Sequence, residues 1–319
     1  MFFKKLMMWM IMITIMITIS SNFWFTFWLM MEINLMVFIP LMNSKNLMSC
    51  NAMITYFIIQ SFSSSLFFMG SLLILMNFSM FFKIIINIAI MIKLAMIPFH
   101  FWITMISESL DLFPLFIILT FQKMIPLIIL TKCKSEIVLI FGMISSVFGS
   151  IMALNSKLLK KIMIFSSISH MGWMTILIFI QSNFWVFYLI LYILIFFKIF
   201  NILKKNHLIS MSNLMFKKIN TNMKLLLISM MLSLGGMPPF LGFFMKLMSI
   251  FFIIKVSLVS AIILAISSLV NIYFYVRIFL PMYFINIKHF KMFNINKMMK
   301  SFFVNLNIIL TILILNMMT

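Results

Sequence analysis

Residues 84–102 read Ile-Ile-Ile-Asn-Ile-Ala-Ile-Met-Ile-Lys-Leu-Ala-Met-Ile-Pro-Phe-His-Phe-Trp. The stretch is apolar enough to cross a bilayer, yet Lys93 stands deep inside it. Pro98 breaks its helical continuation five residues on, and His100 follows. A charge at the centre of a membrane helix costs ~2.5–3.5 kcal/mol on insertion scales. Anchoring has no use for such a residue, so Lys93 reads as part of a pathway through the membrane.

The flanking sequence is of the same kind. The chain is 65% hydrophobic and holds four acids in 319 residues: Glu32, Glu108, Asp111 and Glu136. Apolar runs long enough to span recur along the whole length, and no polar stretch could form a separate soluble domain. Helices satisfy their own backbone hydrogen bonds in lipid, whereas a barrel would show short alternating strands. The runs are continuous, so the fold class is an all-α polytopic membrane protein, one transmembrane domain over 1–319. Eleven spans are expected, at 5–20, 23–42, 50–77, 80–100, 110–131, 136–154, 159–180, 184–203, 223–247, 250–281 and 301–318.

Charge tests that count. With alternating connections, fifteen lysines, from Lys4 and Lys5 to Lys297 and Lys300, fall on the side of the N-terminus. Lys83, Lys132, Lys134 and Lys255 fall on the other. This asymmetry is the positive-inside pattern and places the N-terminus on the negative, matrix-like side. It also accounts for the net charge of +20 without nucleic acid. The bilayer is the expected partner. Cys50 and Cys133 have no neighbours at metal-ligand spacing. The first span starts right after Lys4-Lys5 with no cleavage site, so no removable targeting segment is expected. Met 38, Phe 40 and a single arginine, Arg277, fit an AT-rich organellar gene reading AUA as Met.

Four lysines belong to neither side: Lys93, Lys123, Lys198 and Lys246. Lys198 is near enough to its span's end to snorkel; Lys123 is near mid-span. Lys93 and Lys246 lie beside breaks, at Pro98 in the fourth span and Gly235-Gly236-Met237-Pro238-Pro239 in the ninth. Backbone freed by Pro or Gly at membrane depth must line a cavity or find partners. Two such breaks five spans apart suit two inverted five-helix repeats, about 5–131 and 136–281, with a last helix over 301–318.

Glu32 is the one acid deep within a span; Asp111 and Glu136 stand at span ends. At ~4 Å and an effective dielectric of ~20, a lysine and a carboxylate attract by ~4 kcal/mol, enough to decide whether each holds its proton. Glu32 is therefore expected to pair with a buried lysine, Lys93 first, as a proton switch. His170, among Ser166, Ser167 and Ser169, suits either a proton relay or a core hydrogen bond. His100 reads as structural, and His207 and His289 fall in loops. No nucleophilic set, phosphate loop, dinucleotide fingerprint or metal cluster is present, so no cofactor is expected in this chain.

Six segments, at 32–40, 93–102, 121–126, 161–174, 232–246 and 271–277, occur in the order found in the antiporter-like membrane subunits of mitochondrial NADH-ubiquinone oxidoreductase, complex I. The chain resembles that family across most of its length. The resemblance implies two inverted five-helix repeats, and eleven spans match the shortened form of bilaterian animals, which lacks three N-terminal helices. It also implies that Glu32, Lys93, Lys123 and Lys246 are the charged residues of a proton channel, with other membrane subunits as partners. NADH, FMN, iron–sulfur clusters and ubiquinone would then lie elsewhere in the complex, in the mitochondrial inner membrane. Ala95 stands where the family often has Gly, and Met245 and Leu247 flank Lys246 where Pro and Trp are common. A cation/proton antiporter subunit is the alternative that shares this fold.

Overall fold

A computed structural model of the chain describes residues 2–44, 47–75, 79–133, 135–206 and 221–287. Its regular elements are helices: α1 (Phe2–Ser20), α2 (Trp24–Met42), α3 (Leu47–Leu75), α4 (Ser79–Leu94), α5 (Phe101–Ser109), α6 (Leu112–Leu119), α7 (Met124–Lys132), α8 (Glu136–Asn155), α9 (Leu159–Phe179), α10 (Phe184–Lys205), α11 (Thr221–Gly235), α12 (Leu241–Ile254) and α13 (Leu258–Ile287). A 3-10 turn, Phe121–Lys123, joins α6 to α7. The ten spans expected up to residue 281 are accounted for by these helices. The eleventh, at 301–318, lies outside the described residues, as do His207 and most of the 204–222 connection.

Among the described residues, eight helical segments are long and apolar enough to cross a membrane alone. The broken spans are not among them. With 16 residues α4 is about 24 Å long, and α11 and α12, at 15 and 14 residues, are about 22 and 21 Å. A hydrocarbon core of ~30 Å needs more. Each broken span therefore crosses only as two pieces, α4 with α5 and α11 with α12.

Three boundaries differ from the sequence reading. The fourth span does not run to residue 100; it stops at Leu94 and resumes as α5, nine residues not foreseen as helix. The fifth is not continuous, because α6 ends at Leu119 and α7 begins at Met124. Pro126 explains this: its ring clashes with the carbonyl four residues back, at Gln122, so the preceding turn tightens. The ninth span extends to Ile254 rather than 247, because Ser249 to Ile254 contains no breaker, and α13 starts correspondingly later.

The chain forms two compact units. One comprises residues to Gly149 with Ser167–Ser182; the other comprises Ser150–Ser166 with the residues from Asn183 on. In the first, α2 packs between α1 and α3, α3 packs on α4 and α5, and α7 contacts α1 and α4. In the second, α11 packs on α10 and α13, and α12 packs on α11 and α13. Outward faces are apolar, with Trp9, Met16 and Ile19 of α1 exposed, as hydrocarbon requires. Hydroxyls within the spans return to their own helix: Thr14 Oγ1 donates to Ile11 O and Ser63 Oγ to Gln60 O, each at 2.7 Å.

Candidate functional site

The two breaks foreseen in the sequence are built alike. At the end of α4, Met96 N–H donates to Met91 O and Ala95 N–H to Ile92 O, both at 3.1 Å. At the end of α11, Met237 N–H donates to Leu232 O and Gly236 N–H to Ser233 O, again both at 3.1 Å. Each is a Schellman turn, which closes a helix through one residue in left-handed conformation. That residue is Ala95 (φ 55°) in the first unit and Gly236 (φ 85°) in the second. Three residues beyond each lies a proline after a cis bond, Pro98 and Pro239. The departure at Ala95 noted in the sequence thus falls on the position where glycine is conformationally preferred.

In the second unit the break is closed by a lysine. Lys246, four per cent exposed, sits within α12, folds back and donates from Nζ to Gly235 O at 2.6 Å. Its ammonium occupies the negative end of α11 and satisfies a carbonyl that the helix leaves open. Two glycines make room. A Cβ on Gly236 would lie 2.8 Å from Lys246 Cδ, and one on Gly242 would lie 1.4 Å from Ser233 O. Lys224, one of the fifteen lysines on the side of the N-terminus, is buried in the first turn of α11.

In the first unit a side chain also reaches back over the break, but to a different carbonyl, three residues before the left-handed Ala95. Trp102 Nε1, on α5, reaches back over the break to Ile92 O at 3.2 Å. Lys93, in the last turn of α4 and buried, faces a cavity of ≈20 Å³. That is room for about one water. Lys123 lines the same cavity from the 3-10 turn; it is three per cent exposed and donates from Nζ to Ser167 Oγ on α9 at 3.1 Å. His170 is buried on α9, one turn beyond Ser167. His100 is buried just past Pro98, its Nδ1 3.3 Å from Pro98 O.

Glu32 does not line this cavity. Its carboxylate accepts a hydrogen bond from the Ser64 hydroxyl on α3, and no ion pair joins it directly to Lys93. The two remain coupled electrostatically. The physical reason is helical phase. Met31, Asn34 and Leu35 form the face of α2 that lines the cavity. Glu32 is two residues from Asn34, so it points about 200° away. The polar group that α2 offers to the cavity is Asn34, whose amide pairs reciprocally with that of Gln122 at 2.9 and 3.1 Å. Tyr56 and Gln60 of α3 complete the polar lining.

The sequence reading passed over Asn34, Gln122, Tyr56, Ser64 and Trp102. One signal was present: Gln122 precedes a buried lysine and lies four residues before Pro126. Among the described residues no group of three or more His, Cys, Asp or Glu side chains could hold a metal ion.

Fold and site together define a class: polytopic helical membrane proteins with paired broken spans and lysines buried at the breaks. The chain belongs to the family described as NADH:quinone oxidoreductase/Mrp antiporter, TM, whose model matches residues 21–272. It is 50% identical over 312 residues to NADH-ubiquinone oxidoreductase chain 2 of Rhipicephalus sanguineus, covering 98% of this chain and 99% of that one. To the protein of the same name from Anopheles gambiae it is 34% identical over 280 residues, 83% of this chain and 82% of the relative. Among solved structures it resembles a chain of respiratory complex I from Thermus thermophilus, with TM-score 0.76 and 20% identity, covering 82% of this chain and 66% of that chain. A chain of the Mrp complex from Dietzia sp. also gives TM-score 0.76, at 14% identity, covering 85% of this chain and 58% of that chain. These two solved chains are longer than this one, and at such identities they establish the fold alone.

Proposed function

We propose that this chain is a proton-translocating membrane subunit of NADH-ubiquinone oxidoreductase, seated in the mitochondrial inner membrane with its N-terminus on the matrix side. Electron transfer from NADH through FMN and iron–sulfur clusters to ubiquinone belongs to other subunits. Neighbouring membrane subunits and lipid are its partners, and nucleic acid is not. The repeats of about 5–131 and 136–281 are part of this reading, supported by the duplicated break.

The observation that carries it is the sharing of one water-sized cavity by Lys93 and Lys123. Where one water bridges both ammonium groups they stand ~6 Å apart, and at an effective dielectric of ~20 they then repel by ~3 kcal/mol. The cavity therefore favours one proton between the two lysines over two. A proton arriving at one drives the other to release, which is directional relay without a cofactor. Glu32 biases the balance from outside the cavity by its charge, and Ser64 holds it in place. Ser167 and His170 on α9 take the proton beyond Lys123. Lys246, held at the open end of α11, is the corresponding charge of the second unit.

A cation/proton antiporter subunit would share this machinery. The 50% identity to an oxidoreductase chain over nearly the full length of both proteins favours the redox complex. Lys123→Met removes one of the two proton-holding groups at little cost in volume. In vesicles carrying the assembled complex, protons moved per electron should fall; a wild-type ratio would overturn this reading.

A further inference from the structure

We infer that Asn34 and Gln122 are positioning residues of the proton path: their amide pair ties α2 to the turn beside Lys123 and keeps the wall facing the two lysines uncharged. The inference rests on the proton-relay reading above.

The two side chains lie 88 positions apart and bond head to head. Asn34 Nδ2 donates to Gln122 Oε1 at 2.9 Å, and Gln122 Nε2 returns a bond to Asn34 Oδ1 at 3.1 Å. Tyr56 OH stands 3.5 Å from the same Gln122 Oε1. Tyr56 is itself fixed between Phe38 and Trp102, with ring centroids 5.2 and 6.0 Å away. All three polar residues line the cavity with Lys93 and Lys123.

A buried pair of lysines would ordinarily attract an acid. Here the wall that faces them is amide. The Gln122 oxygen, the acceptor nearest Lys123 along the chain, is already engaged from two sides. An ammonium needs acceptors, and this wall offers few. The remaining amide N–H groups of the pair are donors, suited to orienting a water rather than holding a cation. An amide also takes up and releases no proton, so the wall never competes with the lysines. A carboxylate there would bind whichever lysine is charged and stall the relay.

The test uses membrane vesicles carrying the assembled complex, with NADH oxidation and proton uptake followed across pH. Gln122→Glu and Asn34→Asp each place a carboxylate in the wall with little change in shape. Both should assemble, lower the protons moved per electron, and displace the pH profile of translocation upward by about 1–3 units. The exchange Asn34→Gln with Gln122→Asn rebuilds the amide pair in reverse and should restore ratio and profile. A wild-type ratio and an undisplaced profile in an assembled charged variant overturn the inference, as does an exchange variant that stays impaired. Failure of both charged variants to assemble also counts against it, since a cavity that admits two lysines should accept an isosteric carboxylate. Lys123→Met in the same vesicles separates the two claims. A normal ratio there defeats the relay itself, whereas a lowered ratio there with a normal Gln122→Glu defeats only the amide pair's role.

Discussion

Gly236→Ala should disable the second break through Lys246 rather than through backbone strain alone. An L side chain in left-handed conformation costs ~1–2 kcal/mol, and Gly236 has φ 85°. The new methyl would also lie 2.8 Å from Lys246 Cδ and 3.3 Å from its Nζ. The flexible end of the lysine must yield, and with it the 2.6 Å bond to Gly235 O. A buried charge-assisted hydrogen bond contributes ~1.5–3 kcal/mol, so with the backbone strain the total is ~2.5–5 kcal/mol. The first unit supplies the control: Ala95 occupies the matching position of α4 at φ 55°, so strain alone is tolerated. Ala95→Gly should be nearly silent, because relief of ~1–2 kcal/mol is offset by loss of a buried methyl worth ~0.8 kcal/mol. The assay is a double-mutant cycle read as assembled complex surviving a graded heat step. In a Lys246→Met background Gly236→Ala should lose most of its effect, leaving the ~1–2 kcal/mol of backbone strain. Equal effects in both backgrounds would refute the idea that Gly236 is there to seat the lysine.

Further outcomes follow from the same geometry. Glu32→Gln should assemble normally and lower the protons moved per electron; assembly with an unchanged ratio would make Glu32 a packing residue. Trp102→Phe keeps the ring against Tyr56 but removes the second donor to Ile92 O, which keeps its bond from Ala95 N–H, and should lower heat resistance of the complex by ~0.5–1.5 kcal/mol equivalent; no loss would mean the bond across the break adds nothing to stability. Gly242→Ala sets a Cβ 1.4 Å from the Ser233 carbonyl oxygen, backbone against backbone, and should abolish accumulation of the subunit on native gels. A cysteine introduced as Lys205→Cys, at the end of α10, should react with an impermeant thiol reagent from the matrix side only; labelling from the opposite side would invert the topology.

Much of this protein is governed by terms that act within a turn or two of helix. Long apolar runs demand a membrane, and a backbone in hydrocarbon must bond to itself, so helices follow from composition alone. Pro98 and the Gly235–Pro239 segment announce breaks because proline and glycine act on their own neighbours. Burial of Lys93, Lys123 and Lys246 could likewise be read from their distance to any polar end. The break before α7 was also within reach, since Pro126 acts on the carbonyl of Gln122, four residues away. Other features depend on residues far apart in sequence. Glu32 and Asn34 are both polar and two positions apart on α2, and periodicity says only that they face opposite ways. Packing of α2 between α1 and α3 turns Asn34 to the lysines and leaves Glu32 to Ser64. The cavity draws its wall from α2, α3, α4, α5 and the segment from α6 to α7. Its existence, and the choice of an amide pair over an ion pair to line it, arise where those elements meet, because only there do groups 88 residues apart come within hydrogen-bonding range.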